Sequence, residues 1–107
     1  ETKGTATFAN SLAIGKLTDV EVSGVAADSL GARRLGHLGW NALRSVNAES
    51  SVVSDADVLE AQSALLHEFD VVAEPAAAAG YAAIRSGRLK ITDDERCLLI
   101  VCGGNSE

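Results

Sequence analysis

The apolar run at residues 97–101, CLLIV, constrains the fold more than any other stretch of the sequence. Every position in it is apolar, so it lacks the alternation of a strand that keeps one face in water. This pattern predicts a strand buried on both faces, as in a parallel sheet with helices above and below. Because helical patterns precede it along the chain, we predict an α/β fold with a parallel or mixed sheet flanked by helices.

The predicted strand ends in a cysteine, two glycines and an asparagine, Cys102 to Asn105. Glycines at the tip of a strand allow a ligand or another backbone to come close. Ligands of open α/β sheets bind beyond the carboxyl ends of the strands. The tip therefore predicts the edge of a binding site, with Cys102 beside the ligand.

Four segments have helical signals. Residues 6–14 carry apolar side chains near helical spacing and are followed by Gly15, a helix-ending residue. Residues 31–46 predict a helix that packs through Leu35, Leu38, Ala42 and Val46. Ser54, with Asp57 three positions on, predicts the cap of a helix over residues 55–68. Its inner stripe is Val58, Ala61 and Leu65.

A fourth helix is predicted to begin at Pro75, because proline suits a first helical turn. The small residues that follow allow close packing against a neighbour. Glu74 leaves two interpretations open: it precedes either a thin packing helix or a helix N-terminus that faces a polar site. His37 and His67 have no second histidine or cysteine at ligand spacing and are interpreted as surface residues.

Composition and charge exclude several classes of function. The chain has 107 residues, 47% of them hydrophobic, which suits one globular unit or less. A net charge of −6 without a basic stripe argues against nucleic acid and anionic membranes as partners. No apolar run approaches the roughly 20 residues of a membrane span, and we expect a cytoplasmic protein. Cys97 and Cys102 lie five positions apart on one strand, so their side chains should face opposite ways and stay reduced.

Four motifs carry a family resemblance: ETKGTATFANSLAIGKL, VVSDADVLEAQ, DVVAEPAAAAGYAAI and LLIVCGGN. In this order and spacing they resemble the C-terminal part of the pyridoxal-phosphate-dependent serine/threonine dehydratases, fold type II enzymes of the tryptophan synthase β-like family. The cysteine in the last motif is most similar to the L-serine dehydratase branch. The resemblance implies that residues 1–107 form the C-terminal part of a catalytic domain that binds pyridoxal 5′-phosphate.

The resemblance also implies roles for the strand tip. In this family the residue before the terminal Gly-Gly contacts the pyridine nitrogen of the cofactor, so Cys102 would take that role beside Gly103. A neutral thiol supports a weaker electron sink than an aspartate would, which favours elimination of a β-hydroxyl group.

A cation site near the cofactor phosphate is implied as well, for K⁺ or Mg²⁺. The matching positions are Glu1, Thr5, Thr7, Leu30 and Ala32, the last two through backbone carbonyls. Hard oxygen ligands suit such ions. Alternatively, Thr5 and Thr7 only satisfy a turn. Ser29 falls beside the substrate, where serine dehydratases carry a small residue, and it leaves the substrate preference open.

The lysine that forms the family's Schiff base, the substrate-carboxylate loop and the phosphate loop lie upstream in the family. Lys3, Lys16 and Lys90 do not match the lysine motif, so we expect no catalytic residue in this segment. We expect the chain to be a fragment that is inactive alone and that partners the N-terminal part of the same enzyme.

For the complete enzyme we expect a lyase of amino-acid metabolism that converts L-serine or L-threonine to a 2-oxo acid and ammonia, as a homodimer. The alternatives are a serine racemase or another β-eliminating or β-replacing enzyme of this fold, and a non-catalytic half-fold that acts in assembly.

Overall fold

The computed structural model of the chain describes residues 1–105 and contains four helices in that range. They are α1 (Thr7–Ile14), α2 (His37–Ser45), α3 (Asp55–Phe69) and α4 (Pro75–Arg85). All four fall where the sequence predicts helices, with bounds that differ by a few residues at most for α1, α3 and α4. None of the helices in the described residues is long and apolar enough to cross a membrane.

Helix α3 begins at the predicted cap. The Ser54 hydroxyl accepts a hydrogen bond from the Asp57 N–H at 3.1 Å, and the Asp57 carboxylate accepts one from the Ser54 N–H at 2.9 Å. This reciprocal pair satisfies two amide groups that the first helical turn leaves free. Hydrogen bonds from the Ser54 hydroxyl and N–H hold the pKa of Asp57 below its ordinary value.

The core lies between α3 and α4. Pro75 is the first residue of α4, and the alanines that follow bring the α4 backbone close to α3. The buried residues that form this core are Val53, Val58, Ala61, Leu65, Ala73, Ala77, Ala78, Ala82 and Ala83. The predicted inner stripe of α3 is therefore confirmed.

Helices α1 and α2 meet through an aromatic pair. Phe8 and Trp40 are buried and pack edge to face, with ring centroids 6.1 Å apart. Gly15 ends α1 in the left-handed conformation, at φ 87°. The predicted packing stripe of α2 is wrong, because Leu38 is 87% exposed and Val46 is 72% exposed. The large aromatic ring of Trp40 takes the buried face instead.

Backbone hydrogen bonds tie the start of the chain to the segment before α3. Val53 donates to the Glu1 carbonyl and Lys3 donates to the Val53 carbonyl, both at 2.9 Å. These bonds form an isolated parallel bridge between Thr2 and Val53. Both bridging side chains are fully buried, which fixes Glu1 close to the N-terminus of α3.

The predicted sheet is not confirmed. Residues 97–101 form no strand, and no strand occurs elsewhere in residues 1–105. Leu98 is 88% exposed and Ile100 is 78% exposed, so the run that should be buried on both faces lies open. A parallel strand forms only through hydrogen bonds to neighbouring strands, and the described part of the chain offers it none. Cys97 and Cys102 carry free thiols, as expected, but Cys97 is exposed although the sequence predicts it in a buried strand.

Candidate functional site

The residues implied as cation ligands share one pocket of about 320 Å³. Ser29, expected beside the substrate, lies in the same wall. The full lining is Glu1, Thr5, Thr7, Ser29, Leu30, Ala32, Arg34, Leu35 and Gly36. Two segments that are more than twenty residues apart in sequence therefore meet here, one at the N-terminus of α1 and one before α2.

The segment before α2 is held in place by backbone contacts. The Ser23 N–H donates to the Gly4 carbonyl at 2.9 Å, and the Val25 N–H donates to the Asp55 carboxylate at 3.2 Å. Gly24 lies between them with φ 89°, a conformation that side chains disfavour, and Ala26 is fully buried. These anchors place Ser29 and Leu30 opposite Glu1.

The Glu1 carboxylate is the most densely bonded group of the pocket. One oxygen accepts from the Phe8 N–H at 2.8 Å and the Thr7 hydroxyl at 3.3 Å. The other accepts from the Ala9 N–H at 2.9 Å and the Ser50 hydroxyl at 2.6 Å. A carboxylate offers about four acceptor sites, so protein donors fill the coordination of this group.

The Glu1 carboxylate thus acts as a remote cap of α1. Ala6, at the N-cap position, provides no side-chain hydrogen bond. The free N–H groups of a first helical turn need acceptors, and the positive end of the helix dipole favours a negative charge. A cation that used Glu1 would have to displace one of its hydroxyl donors or bind alongside them.

Thr5 and Arg34 show the polar character of the two pocket walls. The Thr5 hydroxyl lies 2.7 Å from the Thr2 hydroxyl and accepts from the Thr2 N–H at 3.2 Å. The Thr5 side chain therefore bonds within a local turn, as in the alternative interpretation of this residue. The Arg34 guanidinium donates to the Asp19 carboxylate at 2.7 Å at the exposed rim.

The tip of the chain lies at the N-terminus of α4 and contributes no residue to the pocket wall. Glu74 donates its N–H to the Gly103 carbonyl at 3.0 Å. Further along α4, a methyl group of Leu99 lies near Gly80. A Cβ added at Gly80 would lie 3.3 Å from that methyl carbon. The tail thus runs beside α4, and Cys102 is exposed next to Glu74.

Comparison with known proteins decides the family. A profile described as "Pyridoxal-phosphate dependent enzyme" matches residues 1–103, nearly the whole chain. The chain belongs to the pyridoxal-phosphate-dependent enzymes. The resemblance that the four motifs carry is confirmed.

Relatives of this pyridoxal-phosphate-dependent family include two curated dehydratases. The chain is 33% identical to human "Serine dehydratase-like" and 34% identical to the "Catabolic L-serine/threonine dehydratase" of Saccharomyces cerevisiae. Each alignment covers 99% of the chain but only 35% and 31% of the relative, respectively. The chain thus spans about a third of the length of these relatives.

Solved structures of this family have the same fold. Maize serine racemase matches 78% of the chain and 26% of its own length, with a TM-score of 0.70 and 34% identity. A threonine deaminase from T.th. matches 100% of the chain and 39% of its own length, with a TM-score of 0.78 and 23% identity. The fold is thus that of part of a fold type II enzyme.

The side chains of this segment fit one end of the family's cofactor. An exposed thiol donates a weak hydrogen bond, and a pyridine nitrogen accepts one. Cys102 provides such a thiol at the tip, beside Gly103. No group of three or more His, Cys, Asp or Glu side chains converges in residues 1–105. The lining of the pocket contains neither histidine nor cysteine, so a cation there would depend on oxygen ligands.

Three residues of this part of the enzyme were not predicted from the sequence. Ser50 binds the Glu1 carboxylate, Arg34 lines the pocket, and Gln62 on α3 donates to the Ala73 carbonyl at 2.8 Å. Each acts across a tertiary contact, and no local pattern marks it.

Proposed function

We propose that this chain is the C-terminal part of the catalytic domain of an L-serine or L-threonine dehydratase. Such an enzyme eliminates water from a β-hydroxy amino acid and releases a 2-oxo acid and ammonia. The observation that supports this most is the similarity to two dehydratases over 99% of the chain. The free thiol at Cys102 supports it further, because a neutral ring contact suits elimination.

When bound, pyridoxal phosphate supplies an electron sink for the substrate's α-carbon. In this proposal the Cys102 thiol donates to the ring nitrogen and so orients the ring. Gly103 is proposed to contact the cofactor through its backbone, because the Glu74 carboxylate occupies the space of its missing side chain. The base that removes the substrate proton is not supplied here, because Lys3, Lys16 and Lys90 do not match the family's lysine motif.

The pocket around Glu1 is proposed to bind K⁺ or Mg²⁺. In this proposal the ligands are the Glu1 carboxylate, hydroxyl groups and the backbone carbonyls of Leu30 and Ala32, and all of these residues line the pocket. Hard cations prefer such ligands. Ser29 in the same wall is proposed to lie near the substrate. The amino-acid substrate, the rest of the polypeptide and a second subunit are the proposed partners.

Serine racemase is the second candidate. It is favoured by the maize racemase structure, which is as similar in sequence, at 34% identity, as the dehydratases are. Both enzymes would remove the α-proton of serine. They differ in the next step, because the β-hydroxyl group leaves only in the dehydratase.

Product analysis separates the two. The protein that carries this chain is supplied with pyridoxal phosphate and L-serine or L-threonine, with and without K⁺ and Mg²⁺. We expect pyruvate from serine or 2-oxobutyrate from threonine. Formation of D-serine without pyruvate would support the racemase and contradict the dehydratase. A protein that does not bind the cofactor would contradict both proposals.

A further inference from the structure

The Glu74 carboxylate occupies the space where a side chain at position 103 would lie. A Cβ added at Gly103 would sit 2.5 Å from both Cδ and Oε1 of Glu74 and 3.0 Å from Oε2. Side-chain carbons do not tolerate such distances. Glycine at this position is not required by backbone torsion, because the glycines with positive φ are Gly15, Gly24 and Gly87. A side chain at position 103 would therefore fit only if the Glu74 carboxylate or the tip moved.

Glu74 is held through its backbone. It is the N-cap of α4 in extended conformation, at φ −72° and ψ 162°, and it is half-buried. The preceding residue, Ala73, is buried and its carbonyl accepts the bond from Gln62 on α3. The Glu74 side chain makes no capping bond to its own helix. Its carboxylate is thus directed at the tip rather than at α4.

We propose that Glu74 is a positioning residue for the cofactor contact. Its N–H binds the Gly103 carbonyl and its carboxylate packs against the Gly103 Cα, so the two together fix the backbone that carries Cys102. This inference rests on the proposed function, in which Cys102 meets the ring nitrogen of pyridoxal phosphate. The sequence left open whether Glu74 precedes a packing helix or faces a polar site. In this proposal Glu74 packs against the tip that carries Cys102.

A double-mutant cycle tests the contact. In the full-length protein, Gly103→Ala should weaken pyridoxal phosphate binding about tenfold, because the new methyl group pushes the tip away from Glu74. Glu74→Ala should cost about threefold to tenfold through loss of support. In the double variant the methyl group gains room, so Gly103→Ala should cost little beyond Glu74→Ala. Glu74→Gln keeps the shape and should behave nearly as the wild type.

Glu60→Ala is the matched control, because Glu60 is an exposed glutamate on α3. It should leave the cost of Gly103→Ala unchanged. A second readout needs no cofactor: hydrogen exchange of the amide at residue 74, which donates to Gly103, should speed up in Gly103→Ala and slow again in the double variant.

The outcomes separate the two proposals. A wild-type protein that never binds pyridoxal phosphate would overturn the proposed function, while the exchange measurement would still report on the contact. If the wild type binds the cofactor and Gly103→Ala costs the same with and without Glu74, Glu74 has no positioning role. Loss of folding in Gly103→Ala would be seen by circular dichroism, and Glu74→Ala against Glu74→Gln then decides the matter.

Discussion

Replacing Glu1 with alanine should loosen the first turn of α1. The carboxylate accepts from the Phe8 and Ala9 N–H groups at 2.8 and 2.9 Å, and from the Ser50 hydroxyl at 2.6 Å. Ala6, at the N-cap, offers no alternative acceptor. The variant therefore leaves two helix-terminal N–H groups and the hydroxyls of Thr7 and Ser50 without their acceptor, in a half-buried place where only water can replace it.

The magnitude follows from these contacts. Loss of a helix cap costs about 1–2 kcal/mol, and loss of the bond to Ser50 adds about 1 kcal/mol. The sum is about 2–3 kcal/mol of local stability, which corresponds to roughly 30-fold to 150-fold in an opening equilibrium. Glu1→Gln keeps one acceptor oxygen and should lose about half of this energy.

Native-state hydrogen exchange measures the opening directly. The Phe8 and Ala9 amides should exchange roughly 30-fold to 150-fold faster in Glu1→Ala than in the wild type. Glu49→Ala is the control, because Glu49 is an exposed neighbour of Ser50. The samples contain neither K⁺ nor Mg²⁺, so that a bound cation cannot supply the protection. Unchanged exchange at Phe8 and Ala9 would refute the capping role of Glu1.

Three further predictions concern stability. Ser54→Ala removes the cap of α3 and should lower the free energy of unfolding by about 1 kcal/mol in urea denaturation. The pKa of Asp57 is lowered in the folded state, so its stabilising contribution is complete above the unfolded pKa and is lost as pH falls through the folded one; Asp57→Asn should flatten the acid side of a stability–pH profile. Ala78→Leu places a large side chain where Ala78 is fully buried between α3 and α4, and should cost about 1–3 kcal/mol in the same denaturation assay.

The parts of the fold predicted correctly are those that local chemistry determines. Ser54 and Asp57 lie three positions apart and form their capping pair within one turn. Val58 and Leu65 repeat at the helical period, and Pro75 suits only a first turn. Each signal is contained within a few residues, so it can be recognised without knowledge of the tertiary partners.

The failures involve partners that are distant in sequence. Residues 97–101 predict a buried strand, but a strand needs neighbours, and Leu98 and Ile100 are exposed in the described part of the chain. Leu38 has helical spacing but faces water, because Trp40 occupies the contact with Phe8. Apolar spacing predicts a helix reliably but does not say which face a short helix will bury.

The candidate site also contains features that could be predicted and features that could not. That Glu1 and Ser29 meet in one pocket agrees with positions taken from the family resemblance, which already contains tertiary information. The bond from Ser50 to Glu1 and the packing of Glu74 on Gly103 join residues 49 and 29 positions apart. No pattern within the sequence marks such pairs.

The proposed contact between Cys102 and the cofactor's ring nitrogen connects this fold to its proposed chemistry. The most direct measurement is the ¹⁵N NMR spectrum of pyridoxal phosphate labelled at that nitrogen and bound to the full-length protein. We predict a neutral nitrogen whose signal shifts in Cys102→Ala and stays in place in Cys97→Ala, the other exposed thiol. A protonated nitrogen, or a signal that Cys102→Ala leaves unchanged, would contradict the account.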